Sequence, residues 1–384
     1  MDADDFKDIL GAVREFVREQ VVPLEEQIED EDRIPDGLIA ASKDMGLFGW
    51  AIPEEYGGIG LDAVQDVELA MELGYTTPAF RSLFGTNNGI AGQVLVNYGT
   101  EQQKKDWLPR LASGEVIASF ALTEADAGSD PSGMRTTAVK EGDTYRINGS
   151  KRFITNAQLA QVLVVFARTD PNAKGTKGIS AFLVDTDAPG VTIGPHDKKM
   201  GQEGAWTSEL FFDDVVVGTD RLISGEEEVG FKAAMASLAK GRLHISAICV
   251  GQATRILDES VAHAASATQG GKPIGTFQLI QGMIGESYSE VRAARALARD
   301  AARDFQDGTD RKLGPSATKL FASEMLGRVA DRGVQIHGGL GYMRTVPVER
   351  FYRAARLFRI YEGTSEVQKL VMARKLLKDE GMQA

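Results

Sequence analysis

The chain changes its hydrophobic period twice, and that change constrains the fold more than any single motif. Up to residue 114 the rhythm is helical. Phe6, Ile9, Leu10, Val13, Phe16 and Val17 follow the i, i+3, i+4, i+7 spacing of one buried helix face. Pro23 is expected near the end of that helix, and Gly57-Gly58 and Thr76-Thr77-Pro78 punctuate the later segments of this zone. From 115 to 224 the runs are short and rich in β-branched and aromatic residues, at 162–167, 179–184 and 209–212. Two further runs, 136–139 and 145–147, flank Glu141-Gly142-Asp143 as a hairpin would. From 225 to 384 the helical rhythm returns, with Ala, Leu, Arg and Glu dominating 231–265, 277–307 and 317–334. Helices of that length must bury a face against one another. The expected architecture is α+β: an N-terminal helical domain (1–114), a small β-barrel or β-sheet domain (115–224) and a C-terminal four-helix bundle (225–384).

Charge and motif content exclude several functions. A net charge of −12, from 55 acidic and 43 basic residues, repels phosphate backbones, so no nucleic-acid partner is expected. The single cysteine, Cys249, lies in an apolar run and reads as a buried helical residue, which suits a reducing compartment. No apolar stretch is long enough to span a membrane, and the acidic start Met1-Asp-Ala-Asp-Asp resembles neither a signal nor a transit peptide. A cytoplasmic enzyme is expected. GxxxxGK[ST], HExxH and CxxC are all missing, and His196, His244, His263 and His337 show no ligand spacing, so no metal site is expected.

Two segments could carry chemistry. FALTEADAGSD (120–130) stands where the helical zone gives way to the β zone, with small residues that leave backbone N–H groups open to a polar ring or a phosphate. RIYEGTSE (359–366) sets a carboxylate, Glu362, directly before a glycine that permits close approach of a ligand. Thr364 and Ser365 are candidate caps for a helix over 367–377. Taken singly, each segment reads equally as a loop or a helix cap.

Together, and in this order, they resemble the acyl-CoA dehydrogenase family. The first is similar to the family's A-L-T-E-P-x-A-G-S-D signature and the second to its I-Y-E-G-T element. GSKRFITN (149–156) resembles the family's second flavin-contacting strand, and QIHGGLGY (335–342) its Q-x-x-G-G-x-G-Y element. The resemblance spans the whole chain and implies an FAD enzyme that dehydrogenates a saturated acyl-CoA between Cα and Cβ, as in fatty-acid β-oxidation. It makes Glu362 the catalytic base, with flavin N5 taking the β hydride and the Glu362 N–H polarising the thioester oxygen. Phe120, Leu122 and Thr123 would line the flavin, with Phe153 and Thr155 on its other side. Gly128 and Ser129 would serve FAD phosphates or the acyl-CoA, and Thr364 and Glu366 the adenosine half. Gln335, Gly338 and Gly339 would reach the FAD of a neighbouring subunit, implying a homotetramer built as a dimer of dimers. Arg242 and Gly363 would join Ser129 and Glu362 around the substrate, and an electron-transferring flavoprotein would take the electrons. Some relatives carry the base on another helix, just before an arginine matching Arg242; that position here is Gly241, which cannot act.

The pattern breaks in three places. Ala267 and Gly270 replace the Arg and Phe of R-x-x-F-G, Ala354 replaces the acid of R-D-A-R, and Ala125 replaces the signature proline. An arginine–pyrophosphate bond is worth about 1.5–3 kcal/mol. Its loss motivates the alternative of a weakly catalytic, cofactor-sharing subunit in a hetero-oligomer. A fold relative with oxidase chemistry is a third reading.

Overall fold

The computed structural model describes residues 1–173 and 175–382 and runs helices, sheet, helices. Helix α1 (Ala3–Phe16) starts where the Asp2 carboxylate accepts from the amides of Asp4 and Asp5, and buries Val13 and Phe16. Beyond it the backbone widens into a π turn (Val17–Val21) and tightens into a 3-10 turn (Val22–Leu24) holding Pro23. The proline has no N–H to continue an α-helix, so α2 (Glu25–Glu31) begins afresh. Next come α3 (Asp36–Asp44), α4 (Ala63–Leu73), α5 (Pro78–Asn88), α6 (Ile90–Tyr98) and α7 (Glu101–Ala112). Capping boxes, Asp62 with Gln65 and Thr100 with Gln103, fix the starts of α4 and α7.

Seven strands form one sheet: β1 (Ala118–Ala121), β2 (Thr137–Glu141), β3 (Thr144–Thr155), β4 (Val162–Arg168), β5 (Ile179–Asp185), β6 (Val191–His196) and β7 (Thr207–Gly218). Their order is β1-β4-β2-β3-β7-β6, with β5 on β4; β1 runs parallel to β4. β4 and β5 are buried on both faces, which is why they read as unbroken apolar runs rather than as alternation. One face of the sheet meets α6, α7 and the start of the next helix through Val94, Leu108, Phe166 and Ala233. The other closes over Tyr145, Phe182 and Val215.

The remaining helices are α8 (Gly230–Ser266), α9 (Gln278–Asp307), α10 (Leu313–His337), α11 (Pro347–Ala355) and α12 (Ser365–Asp379). N-terminal and C-terminal helices share a core in which Trp50, Phe80 and Phe84 join Leu243, Ile248 and Cys249. The end of α4 crosses α8 at a pair of glycines. A Cβ on Gly251 would lie 2.2 Å from the Met71 carbonyl oxygen, and one on Gly74 2.5 Å from that of Ile248. This contact sets Asp66 of α4 against His244 of α8, at 3.2 Å. Among the described residues no helix is long and apolar enough to cross a membrane.

Candidate active site

Glu362 and Gly363 form a turn before α12 in which both residues have positive φ, +53° and +91°. That conformation costs a glutamate on the order of 1 kcal/mol, so the surroundings must hold it. They do so through the turn's carbonyls. Lys319 Nζ, from α10, donates to the Gly363 oxygen at 2.7 Å. Gln368 Nε2 donates to the oxygens of Glu362 (3.2 Å) and Gly363 (2.9 Å). Arg242 Nε approaches the Glu362 oxygen at 3.4 Å. The amides of Glu362 and Gly363 have no partner among the described residues, so both donors remain free. Thr364 caps α12 by accepting from the Val367 amide, whereas Ser365, the other expected cap, donates instead to Glu324 Oε1 at 2.6 Å.

The Glu362 carboxylate lies directly over α8. A Cβ on Gly241 would stand 2.4 Å from its Oε2, an atom that is buried and has no hydrogen-bond partner. Burial pushes the Glu362 pKa above the usual carboxylate range, opposed by the charges of Arg81, Lys319 and Arg242. Burial also pushes Lys319 down to about 8. Arg242 is buried, only 8% exposed, and is therefore not a solvated helix charge.

The two other motif segments meet across the sheet. Arg152 N–H donates to the Thr123 oxygen (2.9 Å) and Ser119 Oγ to the Thr155 oxygen (2.8 Å). Beneath them Lys151 and Glu124 form a buried ion pair at 2.8 Å, with Lys151 also donating to the Leu122 oxygen at 3.2 Å. Burial pushes Lys151 down to about 8. Phe120 and Leu122 bury their side chains in the sheet core, Phe120 against Phe166 at 4.8 Å, so they offer a ligand backbone rather than side chain. A register slip between Lys151 and Ile154 turns Phe153 outward with φ +58° and 58% exposure. An exposed aromatic on a strained bulge, flanked by Thr123 and Thr155, is a platform for a flat ring. The residues present fit a flavin.

Gly128 and Ser129 lie on an exposed loop; Gln335, Gly338 and Gly339 are exposed where α10 ends; Glu366 is exposed in the first turn of α12. The structure thus brings Glu362, Gly363 and Arg242 into contact, and Thr123, Phe153 and Thr155 into a second group. The pattern breaks at Ala354 and Ala267 fall in contrasting surroundings, one buried and one beside an exposed hairpin. Ala354 is buried, with its carbonyl accepting from Gln202 Nε2 and its amide 2.9 Å from where a Cβ on Gly201 would stand, so an acid there would lose its water. Arg353 beside it pairs with Glu29, Glu203 and Glu349 instead. Ala267 donates its N–H to the His263 oxygen before an exposed hairpin of β8 (Thr268–Gln269) and β9 (Lys272–Pro273). His263 and His337 stack at 4.2 Å, yet no group of metal-ligating side chains is present among the described residues.

Sequence reading missed Lys319, Gln368 and Arg81. A signal existed for Lys319: it shares the apolar stripe of Ala322 and Leu326, and all three are fully buried.

Comparison with known proteins agrees with this arrangement. Residues 3–115, 119–215 and 228–377 match, in turn, the acyl-CoA dehydrogenase N-terminal, middle and C-terminal domain families. An acyl-CoA dehydrogenase of Bacillus subtilis (strain 168) is 39% identical, covering 95% of this chain and 96% of that one. The caffeyl-CoA reductase-Etf complex subunit CarC of Acetobacterium woodii is 38% identical, over 97% and 98%. Among solved structures, butyryl-CoA dehydrogenase from Megasphaera elsdenii superposes with a TM-score of 0.94 at 35% identity, covering 98% and 100%. A glutaryl-CoA dehydrogenase from Mycobacterium smegmatis in complex with FADH2 gives 0.92 at 31%, covering 98% and 95%. The chain therefore belongs to the acyl-CoA dehydrogenase family, flavoprotein oxidoreductases acting on CH–CH bonds.

Proposed function

We propose that this chain dehydrogenates a saturated acyl-CoA to the trans-2-enoyl-CoA, with Glu362 as the base and FAD as cofactor. The observation that carries the reading is a shielded carboxylate, with no hydrogen-bond partner at Oε2, held by a clamped turn whose own amides are free. An acyl thioester whose oxygen meets the Glu362 N–H has its α proton acidified, and the desolvated carboxylate is the group to receive it. Arg242, Lys319 and Gln368 keep the base in place by holding the carbonyls behind it. Thr123, Phe153 and Thr155 would hold the flavin ring, with the backbone at Phe120 and Leu122. Bound FAD supplies the two-electron sink for the β hydride. An electron-transferring flavoprotein is the proposed acceptor; one relative is a subunit of an Etf complex. Gln335, Gly338 and Gly339, exposed in this chain, would act across a subunit boundary in a dimer of dimers, and Gly128, Ser129, Thr364 and Glu366 would contact FAD or CoA.

Glu362→Gln tests the assignment. It should keep flavin and acyl-CoA binding while slowing anaerobic flavin reduction about 10²–10⁴-fold, the usual contribution of a general base. Near-normal turnover would sink it.

A further inference from the structure

A polar void lies beside the base, and one of its walls is a histidine that the proposed chemistry does not use. Gly241, which the Glu362 carboxylate overlies, lines it together with Trp50, Asp66, Arg81, Lys240 and His244. The space is small, about 10 Å³, room for one water-sized group. His244 is buried, and its ring is fixed on two sides. It stacks on Trp50 with centroids 5.4 Å apart and planes 12° apart, and its Nδ1 lies 3.2 Å from Asp66 Oδ1. Asp66 also accepts from Trp50 Nε1 at 2.7 Å, so one carboxylate holds both rings.

These contacts fix which ring nitrogen carries the proton. Lys240 Nζ lies 4.0 Å from the other Asp66 oxygen, and against its own burial Asp66 is held at a pKa of about 2 by the groups around it, so it is ionised. An ionised carboxylate only accepts, so Nδ1 carries the hydrogen and Nε2 is left as a bare acceptor. Among the described residues Nε2 is buried with no partner. The Asn88 side chain is spent, its amide on the Leu47 and Phe84 oxygens and its Oδ1 on the Ala51 amide. Arg81 serves Glu362 as a counter-charge, yet its Nε is buried without a partner. Two residues bordering one water-sized void thus hold an unmet acceptor and an unmet donor. A hydroxyl satisfies both, donating to the histidine and accepting from the arginine. A carboxylate would set an oxygen against the Nε2 lone pair, an ammonium would meet the charges of Arg81 and Lys240, and a methyl would leave both atoms unpaired.

We propose that His244 determines specificity, its Nε2 accepting a hydrogen bond from a hydroxyl on the acyl chain, so that the substrate is a short hydroxyacyl thioester. This rests on the reading that Glu362 serves an acyl-CoA site. The base and the flavin take the α and β carbons, so the hydroxyl sits beyond Cβ. Trp50 and Asp66 hold the ring in place before the substrate arrives. A buried acceptor so fixed discriminates against a chain that brings it only carbon.

The test compares 4-hydroxybutyryl-CoA with pentanoyl-CoA, which puts a methyl where the hydroxyl stands, and 5-hydroxypentanoyl-CoA with hexanoyl-CoA in the same way. Binding to the FAD-loaded Glu362→Gln enzyme is measured by calorimetry, so that turnover does not enter. In at least one pair the hydroxylated thioester should bind about tenfold or more tightly, the ratio expected when a buried acceptor gains its partner. In Glu362→Gln/His244→Asn the amide still donates to Asp66 but no atom replaces Nε2, so the ratio should collapse to near one. In Glu362→Gln/His244→Gln, whose amide reaches the Nε2 position, part of it should remain. No preference in either pair before His244 is changed would overturn the proposal and leave the void to a water molecule; a preference that survives His244→Asn would overturn it too. The first comparison needs no His244 variant to fold. Failure of the broader reading looks different: none of the thioesters binds, or Glu362→Gln turns over normally.

Discussion

Gly241→Ala should disable the enzyme without disturbing the fold. The added Cβ would stand 2.4 Å from Glu362 Oε2, 3.2 Å from its Cδ and 3.2 Å from Ile90 Cγ2. Ordinary contact begins at 3.4 Å, so the carboxylate must retreat by about 1 Å. It can do so cheaply, because Oε2 is the far end of a flexible side chain with no hydrogen bond to break. Gly241 lies inside α8, where alanine is favoured over glycine by about 0.5–1 kcal/mol. A catalytic group misplaced by about 1 Å loses on the order of 10²-fold in rate, or about 2.7 kcal/mol. The assay is stopped-flow reduction of the bound flavin by saturating acyl-CoA, with flavin absorbance for occupancy and a thermal melt for stability. The expected result is a reduction rate lower by about two orders of magnitude in a protein that keeps its flavin and melts no earlier than the parent. A rate within about twofold of the parent would refute the argument that the position of this carboxylate limits the reaction. A lowered melting temperature would show that something other than the carboxylate had given way.

Moving the base from the turn before α12 to α8 should work in part, because Oε2 already sits where a side chain at position 241 would begin. Glu362→Gly with Gly241→Glu should therefore reduce flavin at least about tenfold faster than Glu362→Gly alone, and no recovery would mean that position 241 cannot reach the same substrate carbon. Acid stability should report His244, whose burial holds its pKa at about 4 against an ordinary 6.5. Between those values the unfolded chain binds more protons, so native stability falls as pH drops, by about 2 kcal/mol from pH 6.5 to 5. Asp66, held at about 2 against an ordinary 3.8, extends the loss at lower pH. Denaturant midpoints for His244→Asn should lose most of the slope between pH 6.5 and 5; an unchanged slope would assign it elsewhere.

The α+β plan and the long helices were legible because each depends on a pattern local to its own segment. α8, α9 and α10 run through the stretches whose periodicity predicts them. Register was not legible. Nothing local shows that β3 slips between Lys151 and Ile154, and that slip is what turns Phe153 out of the sheet. Nor can a motif tell backbone from side chain: Phe120 and Leu122 read as ring-lining residues, yet both side chains belong to the core. Ser365 reads as a cap, but Glu324, 41 residues away, takes its hydroxyl. Arg81 was hidden for a different reason. Its significance is the charge it turns toward Glu362, a property of the folded pocket and not of the segment that carries it.

The same arginine also bears on the base. Burial alone would drive Glu362 toward the protonated form, in which it cannot accept the α proton, and the charges of Arg81, Lys319 and Arg242 pull the other way. A working base needs both pressures: enough desolvation to make it avid for a proton, and enough positive charge to leave it ionised before substrate arrives. Removing Arg81 should therefore let the Glu362 pKa rise, moving the acid limb of the rate profile to higher pH. The pH profile of flavin reduction by butyryl-CoA, compared between the parent and Arg81→Met, reads that shift directly. An arginine with a merely structural role would leave the acid limb where it was.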